Sequence, residues 1–132
     1  MGTEHPNVQR IRDALATYNT GDPQGMRAFL APDIRWHVSG DHPLSGDYEG
    51  ADEVLAYFDR VQELTEGSLR IEPMQMLADD GRASIFMRVT AKRGDRKLDV
   101  EMAETLLLDE DGRWQEYWAL ADDQAVVDAF WS

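Results

Sequence analysis

Cysteine is absent from the 132-residue sequence, and basic residues are scarce, with 13 Lys and Arg against 26 Asp and Glu. The lack of cysteine excludes a disulfide scaffold, a thiolate zinc site and a cysteine nucleophile. It is also typical of a cytosolic protein, so we expect a cytoplasmic location. The formal net charge of −13 argues against nucleic acid and anionic membranes as partners, because their phosphates repel an acidic chain. No apolar run approaches the ~20 residues of a membrane span.

The first half of the chain shows helical spacing of its apolar residues. The apolar fraction of 42% is near normal for a globular protein, and the length fits one domain over residues 1–132. Val8, Ile11, Leu15 and Tyr18 lie on one helical stripe. Similar spacing predicts a short second helix over 22–30 and a third that runs from residue 51 to a stop at Gly67. We predict a short strand over 34–38 and a loop over 39–50 between them.

The second half predicts four strands, at residues 68–77, 82–92, 97–108 and 113–121. Short turns rich in Asp and Gly separate them, and such turns join antiparallel neighbours. The predicted fold class is therefore α+β. Three N-terminal helices pack on a strongly curved, mostly antiparallel sheet, and the resulting cone can hold a small molecule at its mouth.

Four motifs carry a resemblance to a known family: Asn19-Thr20-Gly21-Asp22, Phe29-Leu30-Ala31-Pro32-Asp33 before Trp36-His37, Gly46-Asp47-Tyr48-Glu49-Gly50 before a helix, and Asp111-Gly112 before the last strand. In this order and spacing the chain resembles the SnoaL-like branch of the nuclear-transport-factor-2-like superfamily, which has a cystatin-like, cone-shaped fold. The resemblance implies a pocket for a small hydrophobic ligand. It does not imply one activity, because the same fold carries hydrolases, isomerases, cyclases and binding modules.

Ketosteroid isomerase, a member of that superfamily, can be compared residue by residue. The positions that match its phenol donor and its two supporting tyrosines hold no hydroxyl here, being Ala14, Leu30 and Phe58. Its second carboxyl position is kept, as Glu104. Dienolate chemistry needs strong donors aimed at the developing oxyanion, so we exclude ketosteroid isomerase activity.

His37 and Asp122 are the predicted catalytic pair. His37 is the one histidine inside a predicted strand, and its side chain opposes that of Trp36, so one of the two faces the pocket. If His37 faces the pocket it serves as an acid or base near neutral pH; the alternative is a hydrogen-bonded structural histidine. The SnoaL cyclases resemble this chain in placing an acidic residue just after the last strand, where either Asp122 or Asp123 lies.

The predicted ligand contacts centre on Arg88 and Glu104. A hairpin at residues 93–96 makes them diagonal neighbours on one face, where Arg88 can hold a carboxylate or enolate; the alternative is an ordinary sheet salt bridge. Phe86 and Met102 share that face. Tyr117 is predicted to face the pocket. The full set of predicted contacts is Arg88, Glu104, Tyr117, Phe86, Met102 and Phe58.

The resemblance implies a homodimer through the outer sheet face, since members of the superfamily often form dimers there. Trp114 and Trp118 share one face of the last strand in this interpretation, and tryptophan is a frequent interface anchor. We place three apolar residues, Ile85, Met87 and Val89, on the same outer surface. Phe130 and Trp131 are expected to dock back onto the domain or onto the partner subunit, because exposed terminal aromatics are a liability.

Three functions remain open from the sequence. There is no metal-ligand motif, phosphate-binding glycine loop or nucleophile elbow, so we expect neither a metal nor an organic cofactor. The first function is a cofactor-independent acid–base enzyme of cyclase, isomerase or hydratase type that acts on a hydrophobic carbonyl compound. The second is a non-catalytic ligand-binding module, and the third is a dimeric interaction protein whose cone is packed as core.

Overall fold

Helices flank a single sheet in the computed structural model, which describes residues 4–132. In chain order the elements are α1 (Pro6–Tyr18), a 3₁₀ helix (Pro23–Phe29), β1 (Leu30–Val38), β2 (Gly46–Glu49), α2 (Ala51–Thr65), β3 (Arg70–Ala78), β4 (Arg82–Arg93), β5 (Arg96–Leu108), β6 (Trp114–Ala121) and α3 (Gln124–Trp131). Within the described residues, no helix has the length and apolar composition needed to cross a membrane.

The sheet has six strands in the order β2-β1-β6-β5-β4-β3. Strands β3 to β6 form the predicted antiparallel meander, and β1 joins β6 in the one parallel pairing among residues 4–132. The predicted α+β class is confirmed. Two elements were not predicted: β2 lies inside the expected loop, and α3 follows the last strand.

The helices begin and end where local chemistry favours it. Pro6 opens α1, and the Asp22 side chain accepts from the amide of Gln24 at the start of the 3₁₀ helix. Asp123 caps α3 by accepting from the amide of Val126. Helix α2 ends at Thr65 and is followed by the C-cap residue Glu66, which has a left-handed φ of 52°. These residues set where the helices begin and end.

The core lies between the concave face and the helices. Phe58 from α2 is 2% exposed and makes edge-to-face contacts with Trp36 and Tyr18. The ring centroids are 5.0 Å apart for Trp36 and 5.3 Å apart for Tyr18. Phe130 and Trp131 of α3 are also buried. The expectation that the C-terminal aromatics dock back onto the domain is therefore confirmed, and Arg93 holds the helix by donating to the carbonyl of Phe130 at 2.8 Å.

The register of the β4–β5 hairpin differs by one residue from the predicted one. Arg93 pairs with Arg96 across a two-residue turn, so Glu104 lies opposite Ile85 and Arg88 opposite Glu101. A slip of one residue moves every side chain of a strand to the other face. The prediction that Arg88 and Glu104 share a face is wrong. The predicted outer residues of β4 are buried on the concave side, namely Ile85, Met87 and Val89.

A β-bulge at the start of β6 changes the position of Trp114. Leu108 pairs with Trp114 but Leu107 pairs with Glu116, so Gln115 is the extra residue. The bulge brings Trp114 to the concave face, 2% exposed. The prediction that Trp114 and Trp118 share the outer face is wrong, because simple alternation does not pass through a bulge.

Candidate functional site

A cavity of about 110 Å³ lies between the concave face of the sheet and the helices. Its wall is mostly apolar, and its aromatic members are Tyr18, Trp36, Tyr57, Phe58, Trp114, Tyr117 and Trp131. The ring of Trp36 stacks with that of Tyr117, at a centroid distance of 3.6 Å, and with that of Trp114, at 6.0 Å. An engineered cavity of ~150 Å³ holds benzene, so the enclosed part of this smaller space takes at most one ring of a ligand.

Glu104 supplies a carboxyl group to this apolar wall. It lies on β5, is 3% exposed, and its Oε2 atom has no hydrogen-bond partner among residues 4–132. The wall residues include neither Lys nor Arg. Burial without a countercharge raises the pKa of Glu104 to about 8. The group is therefore mainly a neutral acid at pH 7, with its titration close to neutrality.

Three tyrosines of the same wall are Tyr18, Tyr57 and Tyr117. Burial raises the pKa of each hydroxyl, and the charge of Glu104 adds to the rise in all three. The hydroxyls therefore stay protonated and can donate hydrogen bonds. The carboxyl and the three phenols form the polar part of an otherwise apolar cavity.

His42 is a cavity residue that the sequence did not reveal. It lies in the loop between β1 and β2, where its Nδ1 accepts from the amide of Leu44 at 3.1 Å and its Nε2 is buried without a hydrogen-bond partner among the described residues. Burial lowers the pKa of the imidazole, opposed in part by the carboxylate of Asp128 and the carbonyl of Ser39. A polar, glycine-containing loop gives no periodicity from which this orientation could be predicted.

His37 borders the cavity, but its imidazole is occupied elsewhere. Nδ1 lies 2.7 Å from Asp47 and Nε2 lies 2.7 Å from Glu116, and the ring stacks on Trp118 at 5.4 Å. The hydrogen bond to Asp47 makes the largest contribution to a raised pKa of His37, and the hydrogen bond to Glu116 raises this pKa further. Trp36, and not His37, points into the core, so the interpretation of His37 as the pocket base is corrected in favour of a hydrogen-bonded role on the convex face.

The acidic residues after β6 do not reach the cavity. Asp122 bonds to the backbone of Glu101 through its amide at 2.9 Å and through its carboxylate at 3.3 Å. Asp123 is committed to the α3 cap. Neither belongs to the cavity wall, so the structure does not bring Asp122 together with His37 at a common pocket.

The predicted ligand contacts divide between the two faces. Four of them line the cavity: Phe58, Met102, Glu104 and Tyr117. Arg88 and Phe86 do not, because the register of β4 turns them to the convex face. There Arg88 forms a two-pronged ion pair with Asp99, at 2.6 and 2.8 Å, and Phe86 is 47% exposed.

Comparison with known proteins gives matches over nearly the whole chain. A family model described as a SnoaL-like domain matches residues 11–117. Uncharacterized protein Rv0034 of Mycobacterium tuberculosis is 27% identical over 135 residues, covering 98% of this chain and 99% of the relative. The solved structure of Bal32a, from a soil-derived mobile gene cassette, is 28% identical with a TM-score of 0.89, covering 96% of each chain. TerC, co-crystallized with polyporic acid, is 17% identical with a TM-score of 0.80, covering 96% of this chain and 98% of TerC.

Proposed function

The chain belongs to the SnoaL-like domain family, as the resemblance of its motifs predicted, and we propose that it binds a small hydrophobic carbonyl compound and acts on it by acid–base chemistry at Glu104. The observation that carries this proposal is an unpaired carboxyl group buried in an aromatic cavity. TerC, which has a similar fold, was co-crystallized with polyporic acid.

An unpaired buried carboxyl group is costly to keep. Burying a polar group without its hydrogen bonds lowers stability by roughly 1–3 kcal/mol on the scale of protein mutations. Leu106, the next inward residue of β5, is fully buried and shows that the strand accommodates an apolar side chain. Strongly perturbed groups inside cavities are enriched at functional sites. The position of Glu104 therefore favours a ligand-directed role over packing.

The pKa of Glu104, raised by burial to about 8, suits proton transfer. A catalytic group is most effective when its pKa is near the working pH, because it can then take up a proton and release it again. In the proposed step the carboxylate takes a proton from the carbon beside the carbonyl. The C–H electron pair forms a carbon–carbon double bond and the carbonyl oxygen becomes an enolate. The same carboxyl group returns the proton to that carbon or to a conjugated one.

The rest of the cavity supports such a step. The hydroxyls of Tyr18, Tyr57 and Tyr117 stay protonated and provide donors near Glu104. Hydrogen bonds to a developing oxyanion are strongest where water is excluded. The volume of about 110 Å³ limits the enclosed part of the ligand to about one ring, so the remainder of an aryl ketone such as acetophenone would extend toward the opening of the cavity.

Deuterium exchange tests the proposal without knowledge of the natural substrate. Acetophenone is incubated with the protein in D₂O, and loss of its methyl proton signal is followed by NMR. The native protein should accelerate exchange over buffer, and Glu104→Gln should lose ~10²-fold or more of that acceleration. Glu101→Gln is the matched control, because Glu101 is exposed on the same strand.

Two results would contradict this assignment in different ways. Equal exchange by the native protein and Glu104→Gln would remove Glu104 from the reaction. Binding of ketones without any exchange would support the alternative function, a non-catalytic ligand-binding module of the same fold.

A second copy of the chain is the partner we propose for the convex face. Phe86, Ala103 and Leu120 lie directly opposite one another across β4, β5 and β6. They belong to a convex patch whose exposed apolar members are Met74, Phe86, Trp118 and Leu120, with Leu120 73% exposed. Contiguous apolar surface of this kind is typical of a protein interface. This patch replaces the interface residues predicted from the sequence, of which Trp118 alone remains.

A further inference from the structure

We propose that His42 is the specificity-determining donor of the cavity, binding the carbonyl oxygen of a neutral ligand through Nε2–H. This inference rests on the proposed function, since it requires that the cavity takes a small carbonyl compound. It adds the residue that distinguishes such a compound from a hydrocarbon of the same shape.

The tautomer of His42 follows from its loop. A backbone amide can only donate, so the bond from the Leu44 amide at 3.1 Å requires a lone pair on Nδ1. In the neutral ring the proton is then on Nε2. That atom is buried, has no hydrogen-bond partner among residues 4–132, and belongs to a side chain of the cavity wall. The structure thus contains a buried N–H donor whose natural complement is an acceptor on the ligand.

The loop holds the direction of the His42 Nε2–H donor before a ligand binds. The amide of His42 donates to Ser45 Oγ at 3.1 Å, and the amide of Asp41 donates to Asp128 of α3 at 3.1 Å. Gly40 packs so closely against the side chains of Asp128 and Gln124 that a Cβ atom there would collide with both. The loop is therefore held against α3.

The chemistry of the wall indicates a neutral carbonyl ligand. His42 stays uncharged near neutral pH because burial lowers its pKa, and the wall contributes no Lys or Arg. An anionic ligand would therefore meet no countercharge and would face Glu104. His42 and Glu104 both border this cavity, so a small ketone bound in it can reach both side chains. His42 then holds the oxygen while Glu104 faces the neighbouring carbon.

The test compares acetophenone with isopropylbenzene, which replaces the carbonyl oxygen by a methyl group and keeps the number of non-hydrogen atoms. Dissociation constants are measured by NMR titration for the native protein, His42→Phe and His42→Gln. For each protein, the dissociation constant of isopropylbenzene is divided by that of acetophenone. Comparing this ratio between proteins cancels the difference in hydration between the two ligands. His42→Phe should lower the preference for the ketone by about five- to tenfold, the size of one hydrogen bond. His42→Gln places an N–H near the same point and should restore most of it.

The outcomes separate this inference from the proposed function. If the native protein binds both ligands and His42→Phe keeps the native ratio, the role of His42 is refuted while the cavity remains a ligand site. If the native protein binds neither ligand, the proposed function fails and the inference fails with it. Acetophenone labelled with ¹³C at the carbonyl gives a second measurement on the native protein alone. Its carbonyl signal should move downfield on binding, and an unchanged signal in the bound state would refute the hydrogen bond even if the variants did not fold.

Discussion

Replacing Glu104 with glutamine should remove a pH dependence from the free energy of unfolding. The folded chain holds the pKa of Glu104 at about 8, against an ordinary value of 4.5. Between these two values the folded state keeps the proton and the unfolded state has lost it. Stability from this group is therefore fully present below about pH 4.5, falls as the pH rises, and levels above about pH 8.

The expected size follows from the same interval. Each pH unit within it lowers the free energy of unfolding by about 1.4 kcal/mol, which amounts to at most about 5 kcal/mol across the whole range. Urea denaturation at one-unit steps from pH 5 to 9 measures this for the native protein, Glu104→Gln and Glu101→Gln. The native curve minus the Glu104→Gln curve should slope downward up to about pH 8. Contributions of all other ionisable groups are common to the two proteins and cancel in that difference.

Glu101→Gln is the control in this measurement. Glu101→Gln should run parallel to the native protein, because Glu101 is exposed on the opposite face of the same strand. If the stability curve of Glu104→Gln also runs parallel to that of the native protein, Glu104 is ionised in the folded state over this pH range. That result would refute the reasoning from desolvation.

Two further predictions concern the convex face. Leu120→Asp should convert a dimer to a monomer, because it places a charge at the centre of the convex patch; analytical ultracentrifugation checks this, and a native mass of 15.0 kDa at micromolar concentration would contradict the dimer. Arg88→Ala should leave the midpoint of urea denaturation nearly unchanged, because its ion pair with Asp99 is exposed on both sides. A large drop in that midpoint would instead indicate a buried role for Arg88.

The sequence predicted the strands well because their signals are local. Turns such as Asp79-Asp80-Gly81 are short and rich in turn-forming residues, so the order and approximate limits of β3 to β6 followed directly. Strand β2 was missed because four residues are too few to show a period. Its position depends on pairing with β1, which is a tertiary interaction.

The face of the sheet on which each side chain lies was harder to predict than the strands themselves. Arg93-Gly94-Asp95-Arg96 fixes a hairpin, but one residue of register decides whether Arg88 or Ile85 faces the core. The bulge at Gln115 had the same effect on Trp114. Both depend on packing of the whole sheet, and neither leaves a mark in the alternation of a single strand.

Part of the candidate site could be predicted, and part could not. The alternation of side chains along β5 and β6 correctly predicted that Glu104 and Tyr117 face the cavity. His42 was assigned to a polar loop, since its orientation depends on the Leu44 amide and on contacts of the loop with α3. A helix that was itself unpredicted thus helps to position the missed histidine.

The pH profile of deuterium exchange into acetophenone tests most directly whether Glu104 is the acid–base group of this cavity. Measured below saturation, the rate reports the pKa of the group in the free protein. It should rise with pH, pass its midpoint near the pKa of about 8 that burial gives Glu104, and then level. A protein-catalysed exchange whose midpoint lies near 4.5, the ordinary value for Glu, or which persists unchanged in Glu104→Gln, would contradict it.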